Sequence, residues 1–494
     1  MVFFTLAIWQ FWTGVTSESK KKIISSALFA SFAFGTKFNI VFLPFIIIPW
    51  FLFFYFSYSK QKRKMYHRWI WLIFLYPVII LGIFYAIWPQ MWADPIGSFF
   101  KVIQGYEAVG VAPDYTPTFR TLFNFNTYAT IWIFITTYPM VLVLGIIGTI
   151  SALVSAKKLR NSFLLLLLLW FFVPIVRASL PFTSIFGGVR HLMEYLAPFS
   201  MLSGYGAFVF LKKIPQRFKI ISMGAILIGF IPLIFTLIRL HPAENVYFNF
   251  LIGGLSGAKK ANISGWGYND GGIYRKAVVW LNEHAEKGSH VATAFSEPAD
   301  FYIPELREDI LADNKFSGYL QKGEYVIALT HDTGLQDTYG VKFPEDFLKP
   351  VYEYIVDGVP LVKIWKNESK YLKSEFMRLK SKEIKLIPKR IDNALEWKFE
   401  KKERIMAIEI DYEKDNSCKD LVDSYFQISQ DGENWEILPE TYPGGPLSFL
   451  GNQPKDNKLI APIAGRFASY VSFVVGPKDS CVFNVESSKV NTLN

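Results

Sequence analysis

The stretch SIFGGVRHLMEYLAPF, residues 184–199, sets Arg190 and His191 at the mouth of an apolar helix. An arginine near hydrocarbon costs about 2.5–3.5 kcal/mol at a helix centre on insertion scales, so an ionisable group there reads first as functional. A fixed guanidinium stabilises negative charge that develops on a leaving group. Gly187 and Gly188 permit a tight turn, and the helix N-terminus that follows favours an anion. The chemistry expected of Arg190 and His191 is contact with an anionic, lipid-linked ligand. The competing reading is an interfacial anchor in which Arg190 pairs with Glu194, four residues on.

Two further cations suit the same chemistry. Lys37 lies in GTKFN and Arg177 ends WFFVPIVR. Each is either a second contact for the anion or a long side chain snorkelling to headgroups. Asp94, in MWADP, is the first carboxylate expected on the outer side and could take a proton from an acceptor, provided geometry brings it within reach. Asp before Pro also initiates turns. Glu107 and Asp114 follow in the same loop.

The elements that would position these residues are apolar and long. The chain has 494 residues, of which 51% are hydrophobic and 17% aromatic. Its net charge of +10 divides unevenly: residues 1–239 hold 21 Lys/Arg against 5 Asp/Glu (+16), and the remainder 31 against 37 (−6). Basicity thus belongs to the apolar half, which argues for a lipid bilayer and against nucleic acid as partner. Eight apolar segments are expected near 1–15, 23–37, 39–57, 69–88, 128–155, 162–178, 191–211 and 219–239, a multi-pass α-helical membrane domain over residues 1–240. The opening MVFFTLAIWQFWTGV lacks the basic n-region and the small-residue cleavage site of a signal peptide.

Four connectors, SESKKK, SKQKRKMYHR, SAKKLRN and LKKIPQRFK, carry 15 of the 21 Lys/Arg of this half. Short basic loops stay cytoplasmic. Residues 23–57, basic on both flanks, then form a tight helical hairpin with GTKFN at its outer turn. Lys37, Asp94, Arg177, Arg190 and His191 fall on one extracytoplasmic side, together with loops 89–127 and 179–190 and everything after about residue 240.

That tail divides further. Residues 262–368 read as a small α/β domain, with a helix in DGGIYRKAVVWLNEHAEKG and strands in SHVATAF, EYVIALT, VYEYIV and PLVKIWK. Residues 369–390 read as a charged linker. Residues 391–494 read as a β-sandwich domain, with an Asp-Gly turn in SQDGENW. Cys418 and Cys481 both lie there, where an outside location permits a disulfide and a pair of unbridged thiols is equally open. Trp435 and Tyr442 are candidates to stack on a sugar or are core aromatics. Triplets at Asn262 and Asn367 match the glycosylation sequon. No Gly-rich phosphate loop and no zinc-ligand spacing is present, so the residues identify no cofactor and no metal-ligand set, and a divalent-metal requirement stays open.

LFASFAFGTKFNIVFLPFIIIP, WPQMWADPIGSFF and SLPFTSIFGGVRHLMEYLAPFSMLSGYGA resemble the later membrane segments of GT-C glycosyltransferases of family 39, the branch of the protein O-mannosyltransferases and lipid A aminoarabinose transferases. The resemblance covers about residues 20–240. YFQISQDGENWEIL resembles discoidin-type β-sandwiches, which often bind carbohydrate. The first resemblance implies a polyprenyl-phosphate-linked sugar donor, a glycan or protein acceptor, and inverting transfer on the outer face with an acidic residue of the first outer loop as base. The chain shows no acidic outer loop before residue 89, so it is expected to lack the family's first helices and catalytic Asp. Three alternatives follow: a truncated piece, an inactive protein, or another carboxylate in that role. A rival reading is a catalytically inactive, membrane-anchored glycan-binding protein.

Overall fold

The computed structural model describes residues 1–57, 70–110, 119–121, 123–157, 162–181, 183, 185, 187–263, 271–293, 305–313, 320, 322–330, 339–377, 381–414, 423–438, 458–476 and 483–493. Met1–Gly254 forms one compact unit and Leu255–Asn494 a second.

The first unit is helical: α1 (Val2–Thr16), α2 (Lys20–Thr36), α3 (Pro44–Phe56), α4 (Ile70–Ile87), α5 (Pro95–Gly110), α6 (Tyr128–Thr136), α7 (Pro139–Lys157), α8 (Ser162–Ser179), α9 (Leu196–Lys213), α10 (Lys219–Ile228) and α11 (Ile231–Leu240). Among the described residues, three stretches are long and apolar enough to cross a membrane, Phe38–Phe56, Ser162–Ser179 and Gln216–Leu240. Val2–Thr16, Leu75–Ile87 and Pro139–Ser155 are shorter apolar helices.

Three local features differ from the sequence expectation. The apolar run 128–155 is two helices, because Pro139 disfavours helical backbone at Tyr138 and Thr137 is extended. The loop 89–127 contains α5. The run 23–57 does turn at GTKFN, with Lys37 extended and a 3₁₀ turn over Phe38–Phe42, but its two arms pack on different neighbours. α2 lies against α1 and α4, whereas α3 lies against α8.

Small residues let helices approach closely. A Cβ on Gly148 of α7 would lie 1.8 Å from the Leu202 carbonyl oxygen of α9, and one on Gly206 would lie 1.9 Å from that of Leu144. Ser203 donates to the Val141 carbonyl at 3.1 Å across the same crossing. The Trp50 indole ties α3 to the start of α8 by donating to the Ser162 carbonyl at 2.7 Å.

The second unit holds two sheets. A five-stranded sheet has the order β2 (Leu311–Asp313), β1 (His290–Thr293), β3 (Glu324–Leu329), β5 (Val359–Lys366), β4 (Pro350–Val356). β1 pairs parallel with β2 and β3, and β5 pairs antiparallel with β3 and β4. Helix α12 (Gly271–His284) packs on β4 and β5. Its C-terminal carbonyls would lack partners; the Arg307 guanidinium supplies them, donating to Asn282 at 2.7 Å and Ala285 at 2.9 Å. Arg307 in turn holds the Asp309 carboxyl down at about 2 by hydrogen bonding, helped by the Gly288 N–H.

The second sheet is antiparallel. Its order is β10 (Trp435–Leu438), β9 (Tyr425–Ser429), β11 (Lys458–Val474), β8 (Ala394–Lys414), β12 (Phe483–Leu493), β6 (Ser381–Lys385), with β7 (Lys389–Ile391) on β8. Trp397, Phe426, Phe473 and Ile408 are buried in its core. Register shifts at Pro462/Arg466 and Ala468/Tyr470 interrupt the longest pairing, as bulges do. The charged stretch 369–390 therefore does more than connect: β6 and β7 join this sheet. Phe343, Phe347 and Trp365 of the first sheet's neighbourhood share a core with Met406 and Leu493 of the second.

Candidate functional site

The site is built around the turn that carries Arg190 and His191. Gly187 and Gly188 have φ of 68° and 66°, left-handed values that glycine adopts without strain. A Cβ on Gly188 would sit 3.0 Å from the Trp132 ring, a tight contact that the ring would have to yield to. The Gly188 N–H donates to the Tyr128 hydroxyl at 2.8 Å, fixing the turn to α6. Short 3₁₀ turns over Gly188–His191 and Met193–Tyr195 then lead into α9. Arg120 braces the approach: its guanidinium donates to the carbonyls of Asn124 (3.1 Å), Pro181 (3.0 Å) and Thr183 (2.7 Å).

Side chains distant in sequence converge on this turn. Lys37 Nζ donates to the Arg190 carbonyl at 2.7 Å. Arg177 Nη2 donates to the His191 carbonyl at 2.7 Å, and its guanidinium lies 4.5 Å from the centre of the Phe42 ring. Asn39 Nδ2 donates to the His191 carbonyl at 3.1 Å and also to Glu194 Oε1. Lys37, Arg177, Arg190 and His191, expected on one side of the chain's apolar half, are thus neighbours in one site.

Their electrostatics differ from a plain salt bridge. Lys37 and Arg177 hydrogen-bond to neutral backbone carbonyls, and each keeps N–H groups beyond the one so used. Arg190 and Glu194 lie within Coulombic reach of Lys37. Glu194 Oε1 is occupied by Asn39, and Oε2 has no hydrogen-bond partner. The helical-spacing bond from Arg190 to Glu194 is therefore not what the turn forms, because the turn is 3₁₀ at this point and the Asn39 amide takes the carboxylate. The arrangement can receive an anion: Lys37 and Arg177, from two segments, are anchored on neighbouring carbonyls of one turn.

Asp94 stands elsewhere. Its exposed carboxylate accepts the Gly97 N–H at 2.9 Å, capping α5, which is the turn-initiating use of Asp before Pro. No described contact joins it to the cationic turn. Glu107 lies in α5. Asp114, Cys418, Cys481 and Tyr442 lie outside the described residues. Trp435 is half-buried on the edge strand β10, with its ring 6.4 Å from that of Tyr470 and edge-on to it. Asn367 is fully buried with its amide on Glu324, so the folded chain leaves no room for a glycan at that sequon match. Among the described residues, no three His, Cys, Asp or Glu side chains gather as a metal site.

Sequence reasoning did not single out Asn39, Arg120 or Tyr128. The available signals were the polar Asn39 inside an apolar run and Arg120 as a second cation in an outer loop.

No family model matches the chain, and no curated protein matches it. Among solved structures, a likeness is found to CpGH89CBM32-6 produced by Clostridium perfringens, at 15% identity, over 25% of this chain and 94% of that one, with a TM-score of 0.14. So slight a likeness carries no argument about fold or function.

Proposed function

We propose that this protein is a multi-pass membrane glycosyltransferase, or the C-terminal portion of one. It moves a sugar from a polyprenyl-phosphate donor to a glycan or protein acceptor on the extracytoplasmic side, where the Leu255–Asn494 unit also lies. One observation carries the reading: Lys37 and Arg177 leave α2 and α8 and meet on the turn of Arg190 without being neutralised by a directly bonded carboxylate. As the bond from the anomeric carbon to the phosphate oxygen breaks, its electron pair stays on the phosphate. Cations already in place stabilise that charge without reorganising at the moment of reaction. The apolar lengths of Phe38–Phe56 and Ser162–Ser179, which flank the cations, suit a lipid-borne donor.

The test is transfer in proteoliposomes supplied with radiolabelled polyprenyl-phosphate sugars. Consumption of labelled donor by the native chain, lost in Arg177→Ala, is the expected result. Donor that stays intact with the native chain, alone and with an N-terminally longer form, removes the enzyme. The reading left would be the glycan-binding protein, favoured by one observation, the half-buried Trp435 on an edge strand beside Tyr470.

A further inference from the structure

Glu194 is 7% exposed, and it is treated unlike a structural carboxylate. Buried carboxylates ordinarily fill both oxygens with donors or bind a cation directly. Here the nearby cations point elsewhere, Lys37 to the Arg190 carbonyl and Arg177 to that of His191. Asn39 holds Oε1, and Oε2 is buried with no hydrogen-bond partner. The charge is offset at range, yet one oxygen lacks a donor and bears its desolvation in full.

An ionised carboxylate only accepts. What completes Oε2 must therefore bring an O–H or N–H donor, and on a ligand that carries a sugar this is a hydroxyl or an amino group. A phosphate dianion brings neither, but a sugar attached to that phosphate brings hydroxyls, or an amino group, within a bond or two of the anomeric carbon. Lys37 and Arg177 suit the anion, and Glu194 suits the polar group beside it.

We propose that Glu194 recognises the sugar of the donor: Oε2 accepts a hydrogen bond from a sugar hydroxyl or ammonium, while Asn39 fixes the carboxylate and Lys37 and Arg177 hold the adjoining phosphate. The proposal rests on the phosphate-binding reading above and adds a specificity residue to it. A site that hydrogen-bonds a substrate hydroxyl discriminates strongly against an analogue without it.

The experiment compares three ligands by titration against the full chain in detergent: farnesyl phosphate, farnesyl phosphomannose and farnesyl phosphoglucose. The native protein is expected to bind at least one sugar-bearing ligand roughly ten-fold or more tightly than farnesyl phosphate. Glu194→Ala is expected to move the ligands in opposite directions. Farnesyl phosphate tightens by a few-fold, since a negative charge leaves the site, and the sugar-bearing ligand weakens until the preference is gone. Glu194→Gln keeps the shape and one acceptor, so it serves if the alanine variant does not fold; it too should tighten farnesyl phosphate and reduce the preference. A parallel fall for all ligands in both variants would mark Glu194 as structural and overturn the proposal. Native protein that binds farnesyl phosphate but shows no sugar preference also overturns it. Native protein that binds none of the three overturns the phosphate-binding reading itself.

Discussion

Lys366 is a buried cation and Lys37 and Arg177 are half-buried ones in different units of the same chain, and each unit deals with them in its own way. The Lys366 side chain is 3% exposed. Its ammonium contacts Glu286 Oε1, lies 3.3 Å from Glu368 Oε1, and sits over the rings of Tyr325 and Tyr371. Hydrogen bonding to Lys366 holds the Glu286 carboxyl below the usual carboxylate range. That charge is spent inside the fold. Lys37 and Arg177 instead meet neutral carbonyls, and the one carboxylate in Coulombic reach of both, among the described residues, is hydrogen-bonded to neither. A saturated cation is a strut, whereas a cation held in place but not neutralised can receive an anion.

The comparison can be broken at several points. The largest effect is expected where the helical scaffold itself fails. Gly206→Val forces a side chain into the Leu144 carbonyl and should cost roughly 4 kcal/mol or more, abolishing cooperative unfolding of the helices in detergent while circular dichroism retains the strand signal. Lys366→Ala should cost the sheet unit about 1–3 kcal/mol in chemical denaturation, mainly because the largely buried Glu368 loses its nearer counter-charge and keeps only the exposed Lys370 at 3.9 Å; the exposed Glu286 contributes little. Gly188→Ala should cost about 1–3 kcal/mol, from left-handed backbone plus the Trp132 contact, and should weaken anion binding by displacing the Arg190 turn.

The smallest effect concerns pH. The Asp309 carboxyl is depressed from 3.8 to about 2 in the folded chain. Its contribution is therefore present above the unfolded value and is lost as pH falls from about 4 toward 2. Asp309→Asn should lower the stability of the sheet unit slightly at neutrality, flatten the fall between about pH 4 and 2, and converge with the native protein at the acid end.

Much of this was legible in the residues. Apolar runs marked the helices, and Gly-Gly-Val-Arg-His marked the turn. The positive-inside pattern put Lys37, Asp94, Arg177, Arg190 and His191 on one side; the structure brings the four basic residues together at the turn, while Asp94 caps α5 elsewhere. The break at Pro139 is a local proline effect overridden in the reading by an unbroken apolar run. Strand β6, SKEIK, hid in a charged stretch because an edge strand tolerates Lys and Glu on its open side. Asn39 and Arg120 were hidden for another reason. They act on backbone carbonyls far along the chain, and a carbonyl has no signature in sequence.

The most direct test is titration of farnesyl phosphate into the full chain in detergent, native against the double variant Lys37→Ala/Arg177→Ala, with thermal unfolding as a control. Saturable one-to-one binding to the native protein is expected, weakening by roughly a hundred-fold in the double variant, at two lost charge-assisted contacts of about 1.5 kcal/mol each. Equal affinity in the two proteins, with both folded, would contradict it.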